Sequence, residues 1–216
     1  MAAVAMERTL PSCAAALAVV PKGRLLTQSQ ELFARAGVDA PRFSGRRLET
    51  SVAAGRFILA RGRDVPLYVR TGAAELGVVG RDVLLEEPED LVEVADLGFG
   101  RCRLVFAAPD GLDLGRADLR VASRYPALTT RYLRGRGIEA RVVALAGAVE
   151  GSVGAGLAHA IVDVVETGAT LRAHNLTVLD TVAESSARLV AAAGSTLSPR
   201  ARDLARRLSE VVSCGG

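Results

Sequence analysis

The sequence predicts an α/β protein made of two lobes with a cleft between them. Short apolar runs typical of buried strands alternate with amphipathic, helix-forming stretches along most of the 216 residues. Hydrophobic residues make up 50% of the chain and charged residues 24%, which is the balance of a globular protein. A chain of this length can bury a substantial core, and ligands commonly bind in the cleft between two lobes.

The first part of the chain predicts strand, helix and strand in turn. The continuous apolar run AAALAVV, residues 14–20, is typical of a buried strand and ends at PKGR. A helix follows, because apolar or small residues then recur at the 3.6-residue helical period and Gly37 ends the run. A strand in RFILARGRDVP, a short helix ending near Gly72 and a strand in ELGVVG continue the alternation.

The rest of the chain repeats the pattern. Strands are predicted in CRLVFAAP, LRVASRYP, EARVVALA and IVDVV, with two more in LTVLDTVAESSARLVAA. Helices are predicted in ALTTRYLRGRG, in VGAGLAHA and in the tail SPRARDLARRLSEVVS. The tail helix has Ser198 as its N-cap and Pro199 at its first position. Strands that alternate with helices in this way predict largely parallel sheets.

Composition excludes several classes of protein. Aromatic residues make up 4% of the chain with no Trp, and the net charge is only +3, so base-stacking platforms for nucleic acid are not expected. Three cysteines without a C-x-x-C pair and two histidines argue against a disulfide framework or a protein-held metal site. The first residues contain no long apolar segment, so we expect a cytoplasmic protein without a membrane span. No G-x-G-x-x-G follows the first strand and no P-loop motif occurs.

The run IVDVVETGATL raises a specific question, because a buried-looking strand ends in a polar turn. Backbone amides at such a turn converge on an anion, Gly168 allows close approach, and Thr167 and Thr170 can donate hydroxyl hydrogen bonds. Asp163 and Glu166 would repel a phosphate but suit the hydroxyls of an attached sugar. The pattern indicates a site for a ribose 5-phosphate. A solvent turn followed by a helix cap is the alternative.

Basic residues follow two of the predicted strands. Lys22 is the only lysine of the chain and lies with Gly23 and Arg24 at the exit of the first strand. Arg61 ends the FILAR strand in a polar turn. These positions suit phosphate groups. A solvated strand exit, or an ion pair between Arg61 and Asp64, is the alternative.

The spacing around the polar turn resembles the signature of the ATP phosphoribosyltransferase family, which opens histidine biosynthesis. The matching positions are Glu150, Gly156, Ala158, Ile161, Asp163, Val164, Thr167, Gly168, Thr170 and Leu171. LAVVPKGRL, LARGRDVPLYVRTGAAELGVVGRDVLLEE, DLGFGRCRLVFAAP and VASRYPALTTRYLRGRGIEARVV resemble further blocks of the same family. Two departures, EGSVGAG without its usual proline and basic residue and His159 in place of an aspartate, leave the roles of residues 152–159 open.

The resemblance implies two α/β lobes like those of type II periplasmic binding proteins, here expected at residues 14–104 with 183–216 and at residues 105–182. The second lobe would carry the ribose-phosphate loop. The chain resembles the short form of the family, which has no C-terminal regulatory domain. That form typically works with a separate regulatory subunit similar to histidyl-tRNA synthetase, and a homodimer of the catalytic chain is expected.

The reaction implied by the resemblance joins N1 of ATP to C1 of 5-phosphoribosyl 1-pyrophosphate and releases pyrophosphate. Lys22 and Arg61 are the expected catalytic residues. The expected substrate-binding residues are Arg24, Glu150, Asp163, Glu166, Thr167, Gly168, Ala169 and Thr170. Mg²⁺ would be held mainly by the substrate diphosphate. Two alternatives are another phosphoribosyltransferase with the same turn and a two-lobed solute-binding or effector-sensing protein without catalysis.

Overall fold

The computed structural model describes residues 15–86 and 90–214. They form two compact units: residues 15–80, 90–100 and 187–214 make the first, and residues 81–86 and 101–186 make the second. The segment 81–86, which the predicted lobes place with the first, groups here with the second unit. None of the helices in the described ranges has the length and apolar character needed to cross a membrane.

The first unit is built on a six-stranded sheet in the order β2-β3-β1-β4-β11-β5. Its strands are β1 (Ala16–Pro21), β2 (Glu49–Val52), β3 (Gly55–Ala60), β4 (Ala74–Gly80), β5 (Leu91–Asp96) and β11 (Ala187–Ala192). Strand β1 runs parallel to β3 and β4, whereas the β2–β3, β4–β11 and β11–β5 pairs are antiparallel.

Helices cover the sheet of the first unit at the predicted places. They are α1 (Arg24–Arg35), α2 (Val65–Arg70) and α7 (Pro199–Ser213), with a short 3₁₀ turn at Gly62–Asp64. The predicted cap of α7 is confirmed, because Ser198 Oγ accepts a hydrogen bond of 3.2 Å from the Ala201 amide. Ser198 in turn donates its amide and hydroxyl to the carboxylate of Glu75, at 2.6 and 2.9 Å. Phe33 and Phe57 meet edge to face in the core, with ring centroids 5.4 Å apart.

The second unit contains a five-stranded sheet in the order β10-β6-β9-β7-β8. Its strands are β6 (Cys102–Ala108), β7 (Arg120–Ser123), β8 (Arg141–Ala144), β9 (Ala160–Val165) and β10 (Thr177–Ser185). Its helices are α3 (Arg81–Glu86), α4 (Pro126–Gly135), α5 (Gly151–Gly154) and α6 (Ala169–Ala173). Strand β7 runs parallel to β8 and β9, and β6 runs antiparallel to β9 and β10.

The prediction of largely parallel sheets is wrong, because both described sheets are mixed. Strands β2 and β5 were missed, since polar residues interrupt both and leave no continuous apolar run. The helix predicted in VGAGLAHA is also displaced, because α5 ends at Gly154 and His159 directly precedes β9. There His159 Nδ1 accepts a hydrogen bond of 3.0 Å from the Arg120 amide.

Candidate active site

The polar turn follows β9 directly and leads into α6. Gly168 occupies the N-cap position with φ 74° and ψ 5°, a left-handed conformation that glycine adopts without strain. Thr167, Ala169 and Thr170 are exposed, and the Ala169 amide lies 3.4 Å from Thr167 Oγ1. The amides of the first helical turn have no acceptor within the helix. The turn therefore presents amides and hydroxyls together on the surface of the second unit.

Arg172 lies beside this turn and was not singled out from the sequence. Its Nη1 is 3.4 Å from the carbonyl oxygen of Thr167. A Cβ atom built on Gly168 would come within 3.3 Å of the same nitrogen. Since the arginine comes from α6 itself, one turn after the N-cap, only its helical spacing from Gly168 could have revealed it. Arg172 adds a positive charge where the sequence predicts a phosphate.

Asp163 lies in the middle of β9 and is 8% exposed. Its Oδ1 accepts hydrogen bonds from Arg124 Nε at 2.9 Å, from Arg124 Nη2 at 2.8 Å and from the Val164 amide at 2.7 Å. No described residue donates to its Oδ2. Burial raises the pKa of the Asp163 carboxyl, and the Arg124 guanidinium acts against that rise. The carboxylate is thus paired at one oxygen and available at the other.

Arg124 was not singled out from the sequence, where it lies near the end of the predicted strand LRVASRYP. It directly follows β7, and α4 begins two residues later at Pro126. The Arg124 guanidinium lies over the Tyr125 ring, 5.6 Å from its centroid. The Tyr125 hydroxyl donates to Asp82 Oδ2 at 2.6 Å, and burial raises the pKa of that hydroxyl. Arg124 and Asp163 are 39 residues apart in the chain, so no local motif could have paired them.

Glu150 precedes α5 but does not cap it, since its side chain makes no capping hydrogen bond. Its charge contributes to raising the pKa of Asp163, after the effects of burial and of Arg124. Glu150 and Asp163 therefore interact electrostatically within the second unit.

Lys22 and Arg61 directly follow the carboxyl ends of two neighbouring parallel strands, β1 and β3. Pro21 pairs with Ala60 in the parallel register of β1 and β3, and each basic residue comes next in its chain. Both residues are exposed, and no described residue forms a hydrogen bond or ion pair with either side chain. The alternative ion pair between Arg61 and Asp64 is not found among the described residues. These two residues share a backbone hydrogen bond instead, in which the Asp64 amide donates to the Arg61 carbonyl oxygen at 2.9 Å.

Arg24 has a contact that the sequence did not reveal. Its Nη1 donates to the carbonyl oxygen of Gly100 at 3.0 Å. Gly100 has φ 66°, and a Cβ atom there would lie 2.3 Å from a Leu25 methyl carbon. The start of α1 and the Gly100 backbone therefore pack closely, with the Arg24 guanidinium joining them.

Within residues 15–86 and 90–214, no three His, Cys, Asp or Glu side chains gather into a possible metal site. Glu166, which directly precedes the polar turn, offers hard oxygen ligands of the kind that Mg²⁺ prefers. One or two carboxylates suit a Mg²⁺ ion that keeps water and substrate oxygens as its remaining ligands.

Comparison with known proteins identifies the family. Residues 61–210 match the family model described as HisG, ATP phosphoribosyltransferase, over more than half of the chain. The chain belongs to the ATP phosphoribosyltransferase family. A relative from Syntrophotalea carbinolica, named ATP phosphoribosyltransferase, is 43% identical over 206 residues, which cover 88% of this chain and 94% of the relative. The predicted family resemblance is confirmed.

Solved structures agree with this membership and with the predicted fold class. The ATP phosphoribosyl transferase (HisG:HisZ) complex from Thermotoga maritima contains a chain that is 30% identical, with a TM-score of 0.79. The match covers 91% of this chain and 98% of the other. A histidine kinase sensor domain with similarity to periplasmic binding proteins aligns at a TM-score of 0.55 over 92% of this chain and 89% of the other. Its identity is 12%, so that likeness concerns the fold alone, as predicted.

The segment matched by the family model contains most of the candidate site. It begins at Arg61 and includes Glu150, Asp163 and the polar turn, whereas Lys22 and Arg24 precede it.

Proposed function

We propose that this chain transfers the phosphoribosyl group of 5-phosphoribosyl 1-pyrophosphate to N1 of ATP. The products are phosphoribosyl-ATP and pyrophosphate, and the reaction is the first step of histidine biosynthesis. Membership of the ATP phosphoribosyltransferase family supports this function. The structural observation that carries it is the exposed glycine-containing turn placed directly after the strand that holds Asp163.

The polar turn supports binding of the 5-phosphate. Its amides and the hydroxyls of Thr167 and Thr170 can all donate to phosphate oxygens, and α6 begins there with its favourable dipole end. The left-handed Gly168 allows the phosphate to approach the backbone closely. Arg172 supplies positive charge beside the turn.

Asp163 supports recognition of the ribose. Its Oδ1 is saturated by Arg124 and the Val164 amide, so Oδ2 is the oxygen that accepts from a sugar hydroxyl. The same carboxylate stabilises the positive charge that grows on the ribose ring as the pyrophosphate departs. Glu150, which interacts with Asp163, is the second carboxylate for this role.

Lys22 and Arg61 support departure of the pyrophosphate. Negative charge accumulates on that group as its bond to C1 breaks, and the bond from C1 to adenine N1 forms. Two exposed cations at adjacent strand ends can meet that charge. Adenine N1 is already nucleophilic and needs no general base, so the rate enhancement comes from positioning and charge stabilisation.

Mg²⁺ would neutralise the diphosphate of the bound substrate. Glu166 would supply its protein ligand.

The regulatory partner is proposed from the family. The similar chain from Thermotoga maritima belongs to a HisG:HisZ complex, which supports a separate regulatory subunit for this chain too. We propose that the subunit resembles histidyl-tRNA synthetase, that the catalytic chain forms a homodimer, and that the enzyme acts in the cytoplasm.

One assay tests the proposed function. The purified chain is incubated with ATP, 5-phosphoribosyl 1-pyrophosphate and Mg²⁺, with and without a synthetase-like subunit. Phosphoribosyl-ATP absorbs in the near ultraviolet, so we expect a rise in absorbance that depends on both substrates. Omission of ATP is the matched control. Absence of product under both conditions would contradict the proposal.

A further inference from the structure

We propose that Arg124 is a positioning residue that fixes Asp163 so that its Oδ2 accepts a ribose hydroxyl. This inference rests on the proposed function and adds a residue that lies outside the polar turn and outside the basic strand ends. Both Nε and Nη2 of Arg124 donate to the same oxygen of Asp163, Oδ1, at 2.9 and 2.8 Å.

The pattern of donors around Asp163 is unequal. A guanidinium commonly grips a carboxylate with one nitrogen on each oxygen. Here two nitrogens and the Val164 amide converge on Oδ1, and no described residue donates to Oδ2. Because Oδ2 has no donor among the described residues, it is free to accept a hydrogen bond from a bound molecule. A sugar hydroxyl is a donor of the required type.

Arg124 is itself held on a second side. Its guanidinium lies over the Tyr125 ring at 5.6 Å, and the Tyr125 hydroxyl donates to Asp82 at 2.6 Å. Ser185 Oγ donates to the other oxygen of Asp82 at 2.8 Å. The arginine therefore sits between a fixed aromatic ring and the carboxylate, and its side chain has little rotational freedom to lose when substrate binds.

Arg124 also governs the charge on Asp163. Burial and the nearby Glu150 both raise the pKa of Asp163, whereas Arg124 lowers it. Tyr125, whose ring lies against the Arg124 guanidinium, has a pKa raised by burial and stays neutral across the working range. Loss of the guanidinium would therefore raise the pKa of Asp163 further. The acidic limb of the pH profile should move to higher pH.

The test compares Arg124→Ala, Arg124→Lys and the matched control Arg134→Ala, an exposed arginine of α4. Assays use the chain with its regulatory subunit. We expect Arg124→Ala to raise KM for 5-phosphoribosyl 1-pyrophosphate by about tenfold or more, the loss expected for a charged hydrogen bond, with KM for ATP unchanged. The lysine variant should recover part of the loss, and Arg134→Ala should behave as wild type.

Two further readouts separate positioning from a merely structural role. The acidic limb of kcat/KM for 5-phosphoribosyl 1-pyrophosphate should shift to higher pH in Arg124→Ala. Analogues of 5-phosphoribosyl 1-pyrophosphate that lack the 2-hydroxyl or the 3-hydroxyl are then used with both enzymes. With the analogue that lacks the hydroxyl bound by Asp163, wild type and Arg124→Ala should have the same KM.

The outcomes distinguish this inference from the proposed function. A wild-type enzyme that makes product, together with an Arg124→Ala enzyme of unchanged KM and pH profile, overturns the inference alone. If Arg124→Ala does not fold, the double variant Arg124→Ala/Asp163→Asn removes both charges. A KM for 5-phosphoribosyl 1-pyrophosphate equal to that of wild type in this folded double variant also overturns it. Failure of wild type to make any product contradicts the proposed function instead.

Discussion

In the first unit, Lys22 and Arg61 stand exposed beyond the ends of two parallel strands, and no described residue forms a hydrogen bond or ion pair with either side chain. In the second unit, Asp163 is 8% exposed and is held by Arg124 through two hydrogen bonds. The side chains of the two basic residues are exposed, whereas the carboxylate is held in place by the protein itself. The two units thus differ in how they hold their charged candidate residues: the first leaves its cations in solvent, and the second fixes its anion with an arginine.

Removal of the exposed cations should have the largest effect on turnover. In Lys22→Ala and Arg61→Ala, we expect kcat to fall about 10²–10³-fold, the cost typical of a lost group that stabilises transition-state charge. KM for ATP should change little. Steady-state kinetics measures both constants, with Arg46→Ala, an exposed arginine before β2, as the matched control. Unchanged kcat in both variants would contradict the catalytic role proposed for Lys22 and Arg61.

Loss of the turn hydroxyls should have the next largest effect, and it should fall on binding. In the proposed complex, Thr167→Ala and Thr170→Ala would each remove a hydrogen bond to a charged phosphate, at a cost of about 1.5–3 kcal/mol. The affinity for 5-phosphoribosyl 1-pyrophosphate should therefore fall, while the affinity for ATP stays the same. Isothermal titration measures both, and Thr177→Ala, exposed on β10, is the control. Unaltered affinity in the double variant would refute the assignment of the turn.

Loss of the α7 cap should affect stability and leave the site intact. Ser198→Ala removes the acceptor of the Ala201 amide and one bond to Glu75. We expect a loss of about 1 kcal/mol in the free energy of unfolding, measured by urea denaturation, with kcat and both KM values unchanged. Thr196→Ala, exposed in the preceding segment, is the control. A change in kcat would show that Lys22 and Arg61 depend on this part of the first unit.

The smallest expected effect is on the stability of the folded chain at alkaline pH, and it concerns Tyr132 in the second unit. Burial first, and the hydrogen bond to Asp180 second, raise the pKa of Tyr132 to about 12. Between the ordinary tyrosine pKa of about 10 and this value, the folded chain keeps a proton that the unfolded chain has lost. Stability should therefore fall as pH rises through this window. In Tyr132→Phe the fall should be smaller, as urea denaturation at several pH values would reveal. An equal fall would contradict this assignment.

Much of the fold could be predicted because its signals are local. The apolar runs of β1, β4 and β9, the helical period of α1 and the cap of α7 all lie within a few residues of one another. The strand directions could not be predicted. Strands β10 and β11 follow one another along the chain but belong to different sheets, where they pair antiparallel with β6 and with β4 and β5. That pairing depends on contacts far apart in sequence.

The candidate site divides in the same way. The polar turn and the basic strand ends could be predicted from short motifs. The conformation of a turn that contains glycine and hydroxyl residues depends mainly on residues next to one another in the chain. Arg124 gave no such signal, since its partner Asp163 lies 39 residues further along the chain. Arg24 was assigned to substrate on its position alone, and its hydrogen bond to Gly100 depends on a contact that only the folded chain makes.

A crystal structure of the chain with 5-phosphoribosyl 1-pyrophosphate and Mg²⁺ tests the binding scheme most directly. The expected result is a 5-phosphate within hydrogen-bonding distance of the Thr167 and Thr170 hydroxyls and of the amides around Gly168, with a ribose hydroxyl on Asp163 Oδ2. A phosphate bound elsewhere, with the turn still exposed to solvent and Asp163 remote from the sugar, would contradict the account.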